Sequence, residues 1–180
     1  MTPVELENLI THTQALKAET QTLELKAAAQ GCPSRLYDTL SSFSNQDEGG
    51  ILLFGIDEQR DFTPVGVYNA QDLMKHVTEQ CGQMTPLVRP VFTTLLKDGK
   101  AFVSAEIPGM DVTDRPCFYA GKGRLKGSYV RVGDADQPMT EYEIYSYEAF
   151  RRKYQDDIRP IEQAALRMLQ TDLLEQYLAK

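Results

Sequence analysis

The run Leu36 to Asp57, LYDTLSSFSNQDEGGILLFGID, limits what this chain can fold into more than any other stretch. Leu36, Leu40 and Phe43 recur at helical spacing and predict a helix that hides one face. Asn45 to Glu48 is polar and stops it. Gly49 and Gly50 can take the positive φ that other residues avoid. Ile51, Leu52, Leu53, Phe54 and Ile56 then make a short, nearly unbroken apolar run. Such a run predicts a central strand covered on both faces. Asp57 and Glu58 fall where this strand leaves the core. A carboxylate there is well held and still reachable, as a site requires. The plainer reading is that Asp57 starts a turn, since Asp is a common turn residue.

At 180 residues the chain is one domain, or one domain plus an appendage. Its net charge of −7 argues against a broadly basic nucleic-acid surface but leaves room for a local basic groove. No apolar run reaches the roughly 18 residues that a membrane span needs. The opening MTPVELENLITH has neither the basic nor the apolar region of a signal peptide. Cys32, Cys81 and Cys117 are scattered and odd in number. They suit a reducing cytoplasm and form neither a disulfide frame nor a zinc knuckle.

Residues 3 to 11 read as a helix through Val4, Leu6, Leu9 and Ile10, and residues 13 to 18 as polar and loose. Thr22 to Lys26 alternates and predicts a strand, with Leu23 and Leu25 on one face and Glu24 and Lys26 on a polar one. Pro64 to Val67 reads as a short strand pairing with that first one. Asn69 caps a helix carrying Leu73, Met74 and Val77. Val91 to Leu96 and Ala101 to Ile107 are two strands of a hairpin, signalled by Asp98-Gly99. Pro116 to Tyr119 is extended, Gly121 to Gly127 is a basic, glycine-rich loop, and Ser128 to Val132 is a strand. Thr140 caps a helix from about 141 to 153, with Glu143 completing a capping box. Ile158, Ile161, Ala165, Leu169, Leu173, Leu174 and Leu178 mark a C-terminal amphipathic helix. That helix needs a partner, and it opens two alternatives. It begins a further segment of a longer protein, or it packs on its own sheet or on a second copy as a homodimer contact.

The segment Phe43 to Asp57 resembles the Schlafen AlbA-like domain, also known as a divergent AAA domain. That family carries a phenylalanine, a small residue and an asparagine, then paired glycines, an apolar strand and a Gly-x-Asp end. Glu19, Glu24 and Lys26 resemble its opening glutamate and Glu-x-Lys. Val65-Gly66 is similar to its Val-Gly strand end, and Thr85 to Pro90 to its proline loop. Tyr129-Val130-Arg131-Val132-Gly133 is similar to its late Tyr-x-Arg-x-Gly strand. The resemblance covers most of residues 19 to 153. In bacteria and archaea it implies the N-terminal part of a transcriptional regulator or helicase-related protein. In animals it implies RNA cleavage by carboxylates at the positions of Glu19, Glu24 and Asp57. The acidic run Ser44 to Glu48 departs from the family pattern and speaks against tight nucleic-acid binding near that turn.

Two clusters could carry chemistry. Glu19, Glu24 and Asp57, if they converge from adjacent strands, would hold Mg²⁺ or Mn²⁺ through oxygen ligands, with Lys26 orienting a water or holding a phosphate. The plain alternative is that Glu24 and Lys26 form a solvated pair worth ~0–1 kcal/mol. Lys122, Arg124, Lys126 and Arg131, with Tyr119 and Tyr129 nearby, suit phosphate contact and base stacking; a solvated mobile loop is the alternative. The segment from Gly121 to Ser128 lacks the Gly-Lys-[Ser/Thr] of a phosphate-binding loop and precedes a strand, which excludes ATP hydrolysis on that motif.

The expected architecture is therefore α+β: a mixed sheet of about six strands with helices packed on it, as a domain over residues 1–153, plus the C-terminal helix over 154–180. The leading functional expectation is a DNA/RNA-binding module of a transcriptional regulator. The alternatives are a metal-dependent endoribonuclease and a non-catalytic dimerisation or assembly domain.

Overall fold

The computed structural model describes residues 1–157 and residue 178. Helix α1 (Pro3–Leu16) starts at a capping box, in which the Glu5 N–H donates to the Thr2 hydroxyl and the Thr2 N–H donates to the Glu5 carboxylate. It runs past the expected end at residue 11. Thr13 prolongs the buried stripe of Leu6 and Ile10, and the hydroxyls of Thr11 and Thr13 bond back to Glu7 O and Leu9 O.

Strand β1 (Leu23–Lys26) lies parallel to β2 (Gly50–Phe54), and helix α2 (Tyr37–Ser44) crosses between them. Every residue of α2 from Thr39 to Ser44 is buried, so α2 is enclosed all round and not merely amphipathic. Gly49 and Gly50 are demanded by close approach. A Cβ on Gly49, at φ +67°, would lie 2.1 Å from Ile107 O, and one on Gly50 would lie 2.4 Å from the Phe43 ring. Strand β3 (Ile56–Asp57) pairs with β4 (Thr63–Pro64), so the segment at Pro64 joins β3 and not the first strand as expected.

Helix α3 (Ala70–Cys81) is capped by Asn69. After the short β5 (Met84–Thr85), β6 (Val91–Lys97) and β7 (Lys100–Ile107) form the expected antiparallel hairpin, with positive φ at both Asp98 and Gly99. Strand β8 (Phe118–Tyr119) pairs with β5. The basic segment is not a loop. It folds into a 3₁₀ turn at residues 120–122 and a short helix, α4 (Gly123–Gly127). Strand β9 (Tyr129–Val132) forms a hairpin with β10 (Ala135–Pro138), and α5 (Glu141–Asp157) follows the Thr140 cap. Helix α5 passes through residue 153, and the amphipathic pattern expected beyond residue 157 lies outside the described residues, Leu178 apart.

The fold is α+β. Its mixed sheet runs β1-β2-β7-β6, and the remaining short strands form three two-stranded sheets. The sheet separates two apolar cores. Leu52 and Phe54 of β2 face α2 and α3, whereas Leu53 faces Leu6 and Ile10 of α1. This is the two-sided burial that the apolar run of β2 requires.

Asn45, at the end of α2, locks the β8 and β9 segments onto this frame. Its side-chain nitrogen donates to Cys117 O (2.9 Å) and Tyr129 O (3.0 Å), and the Cys117 N–H donates to its oxygen (2.7 Å). All of these groups are buried, so losing the amide leaves several unpaired at once. Asn45→Ala is expected to destabilise the fold by about 3 kcal/mol in urea unfolding, and a loss below about 1 kcal/mol would contradict this role.

Candidate functional site

The polar face of β1 is covered, not solvated. Glu24 is 8% exposed and pairs with Lys26 on its own strand. Across from it, Arg131 of β9 is buried with Nη2 2.8 Å from Glu24 Oε2, off the line of a hydrogen bond, and Nη1 3.0 Å from Asp136 Oδ1. Asp136 accepts from the hydroxyls of Ser42 (2.5 Å) and Thr39 (2.6 Å) on α2. The guanidinium lies 5.2 Å from the Phe43 ring centroid. Burial works against its charge, but the hydrogen bond and charge of Asp136, with Glu24 beside it, raise its pKa above the ordinary arginine value.

Glu19 stands beside this cluster and accepts a hydrogen bond from the Leu25 N–H at 2.6 Å. Burial pushes its carboxyl up to about 7, the Leu25 bond opposes the shift, and the charges of Glu24 and Glu58 add to it. Between Glu19 and β1 the chain makes a turn closed by a bridge between Thr20 and Leu23.

Asp57 does not join them. Its Oδ1 accepts from the Gln59 N–H (3.1 Å), capping the 3₁₀ turn Glu58–Arg60, and its Oδ2 lies 3.4 Å from Arg60 Nε. It lines a separate cavity of about 330 Å³ with residues 27–31, Arg60 and Val65. Among the described residues no three His, Cys, Asp or Glu are grouped to hold a metal ion. The donors Glu19, Glu24 and Asp57 therefore do not fit Mg²⁺ or Mn²⁺ in this arrangement, and Glu24 already has two cations on it.

The basic residues separate in the same way. Arg131 faces inward, and Tyr129 is buried except that its hydroxyl accepts from Lys122 Nζ at 3.1 Å. Arg124 pairs with Glu148 of α5 and lies 5.7 Å from the Phe118 centroid. Lys122 and Lys126 are exposed and have no acidic partner among the described residues. Lys122 Nζ sits 5.1 Å from the Tyr37 ring centroid, and Arg35 Cζ sits 5.3 Å from the same centroid. Tyr37 in turn stacks on Tyr119, with centroids 4.2 Å apart and planes 9° from parallel. The Tyr129 hydrogen bond raises the pKa of Lys122, so the ammonium is charged at neutral pH.

Sequence reasoning missed Arg35, Tyr37 and Asp136. Tyr37 opens α2 and Arg35 lies just before it, and nothing local places Tyr37 against Tyr119. Asp136 lies on β10, a strand without an apolar pattern. A further cleft of about 620 Å³, lined by Thr20, Gln21, Thr22, Gln46, Asp47, Glu48 and Arg115, contains none of the expected residues and carries two acids.

The sequence model of the Schlafen, AlbA_2 family matches residues 19–140. Among solved structures, the N-terminal domain of a RecG-related protein from Nitrosomonas europaea is 24% identical with a TM-score of 0.57, over 75% of this chain and 93% of that one. The DIP2311 protein from Corynebacterium diphtheriae is 17% identical with a TM-score of 0.53, over 82% of this chain. The match spans 33% of the diphtherial protein, and both likenesses concern the fold. No curated protein matches the chain. No described helix is long and apolar enough to cross a membrane.

The raised pKa of Glu19 has a consequence for stability. Between its ordinary 4.5 and about 7, the folded chain holds a proton that the unfolded chain has released, so this group's contribution falls as pH rises through that window. The drop in urea-unfolding free energy from about pH 5 to about pH 8 should be smaller in Glu19→Gln than in the wild type; an equal drop would contradict the shift.

Proposed function

The chain belongs to the Schlafen, AlbA_2 family, and on that premise we propose that it is a nucleic-acid-binding module of a transcriptional regulator, whose contact face is formed by Arg35, Lys122, Arg124 and Lys126. Family membership supports a nucleic-acid-related domain. The observation that carries the choice of face is the drawing of two cations, Arg35 and Lys122, against one tyrosine in a chain of net charge −7. Like charges held together repel, and a polyanion relieves that repulsion. Arg35 and Arg124 each retain one carboxylate partner, Asp38 and Glu148, so Lys122 and Lys126 are the principal phosphate contacts. Anisotropy of labelled DNA and RNA oligonucleotides tests this. Lys122→Glu with Lys126→Glu should weaken binding at least about tenfold and flatten the salt dependence by about one unit of slope per lysine. Binding indifferent to salt and to both changes would refute it.

One observation favours a second reading, cleavage of RNA at the other cluster. Glu19 is held against β1 by the Leu25 N–H, beside Glu24 and Lys26, and burial pushes its carboxyl up to about 7, the range in which a carboxyl exchanges a proton at neutral pH. Transfer RNA incubated with the protein, beside a Glu19→Gln variant whose fold is checked by thermal melting, decides it. Cleavage that vanishes in the variant supports this reading, and intact RNA in every lane removes it.

A further inference from the structure

We propose that residues 161–180 fold back along α5 as an antiparallel helix and close the apolar groove between α4 and α5 of their own chain. The inference stands apart from the nucleic-acid reading.

Helix α5 is held on one side and bare on the other. Its inner side carries the buried Ile144, Glu148, which pairs with Arg124 of α4, and Arg151, which donates to Arg115 O at 2.7 Å. Its outer side carries Tyr142, Tyr145, Ser146 and Ala149, which share a face at helical spacing. The solvent face of a surface helix ordinarily carries charge, and these four positions carry none. Tyr142 is 78% exposed and Tyr145 61%. On α4, Leu125 is 61% exposed, and with Tyr145, Phe118 and Ile144 it lines a groove of about 530 Å³ between the two helices. Apolar side chains bared together on neighbouring helices mark a surface that another element covers.

The chain itself supplies that element. Helix α5 is described to Asp157, and Pro160 follows three residues later. A proline lacks the N–H that would continue a helix and disfavours helical backbone in the residue before it, but it suits the first turn of a new helix. Residues 158–160 thus have the length of the connections that join antiparallel helices. Read as a helix, residues 161–180 run about 30 Å against about 25 Å for α5, enough to return along all of it. Ala165, Leu169 and Leu173 then share one face, with Leu166 and Tyr177 beside them. A tight reversal brings Leu169 level with Ala149 and Leu173 level with Tyr145. Leu178, nine residues past Leu169, falls half a turn away from that face, and it is 75% exposed. A second copy offers the same face. A segment tethered to α5 by three residues, however, meets the groove at high effective concentration and without the entropy cost of association.

The test uses the full chain with Cys32→Ser as background, the other two cysteines being buried. Tyr145→Cys with Leu173→Cys is oxidised in dilute solution, and the products are sized on a non-reducing gel. This pair should close within single chains. Tyr145→Cys with Thr171→Cys, which places the second thiol on the far side of the proposed helix, should stay reduced. In a chain without new cysteines, Leu169→Glu with Leu173→Glu should lower the melting temperature by about 4 °C or more, as a docked face loses its contact. Tyr145 is exposed, so replacing it spares the core, and thermal melting of each cysteine variant reports on its fold. A disulfide between chains would give the groove to a second copy and overturn the proposal. No disulfide in either pair, equal closure of both pairs, or an unchanged melting temperature in the double glutamate variant would also overturn it.

Discussion

The Arg131 guanidinium, sealed between Glu24 and Asp136, joins the parts of this molecule that have no apolar reason to meet. Glu24 belongs to β1, Asp136 is held by two hydroxyls of α2, and Arg131 belongs to β9. Taking such charges out of water is expensive, and losing one partner of a buried pair costs about 3–5 kcal/mol. That cost fixes where the β9–β10 hairpin docks. It also explains why α2 carries Thr39, Ser41 and Ser42 on a fully buried surface. Each hydroxyl finds a partner across that junction, Ser41 by donating to Cys117 O and accepting from the Tyr129 N–H.

The same junction divides the charged residues into two populations. Arg131 and Glu24 pair inside, which removes a cation from the binding surface expected from the sequence and a carboxylate from the expected metal set. What remains outside is cationic and aromatic on one side, at Arg35, Tyr37, Tyr119, Lys122 and Lys126. On the other side stands the Glu19 carboxyl, pushed up to about 7 by burial and by the charges of Glu24 and Glu58. Asn45 and the paired glycines set the frame for both, since they bring β8, β9 and the end of β7 against α2.

Much of the frame was legible in the sequence because its signals are local. The apolar run of β2, the Asp98-Gly99 turn, the Asn69 and Thr140 caps and the double glycine each act within a few residues. The site was less legible because it is made of long-range pairs. Nothing near Arg131 says that it points inward to Glu24, and nothing near Tyr37 says that it meets Tyr119. The period of β1 placed Glu24 and Lys26 on a polar face correctly, but it could not show that β9 covers that face. Glycines in the segment 121–127 suggested a loop, whereas packing beside α2 and β8 winds it into a short helix. Asp57 took the plainer of its two readings because the turn after β3 uses its carboxylate as a cap.

The proposed contact puts nucleic acid on α4 and the start of α2, away from the acid-rimmed cleft. Hydrogen exchange of the full chain with and without a single-stranded oligonucleotide measures that most directly. Contact at this face slows exchange at residues 35–38 and 118–127. Protection confined to residues 20–22 and 46–48, beside the cleft lined by Asp47 and Glu48, would contradict it.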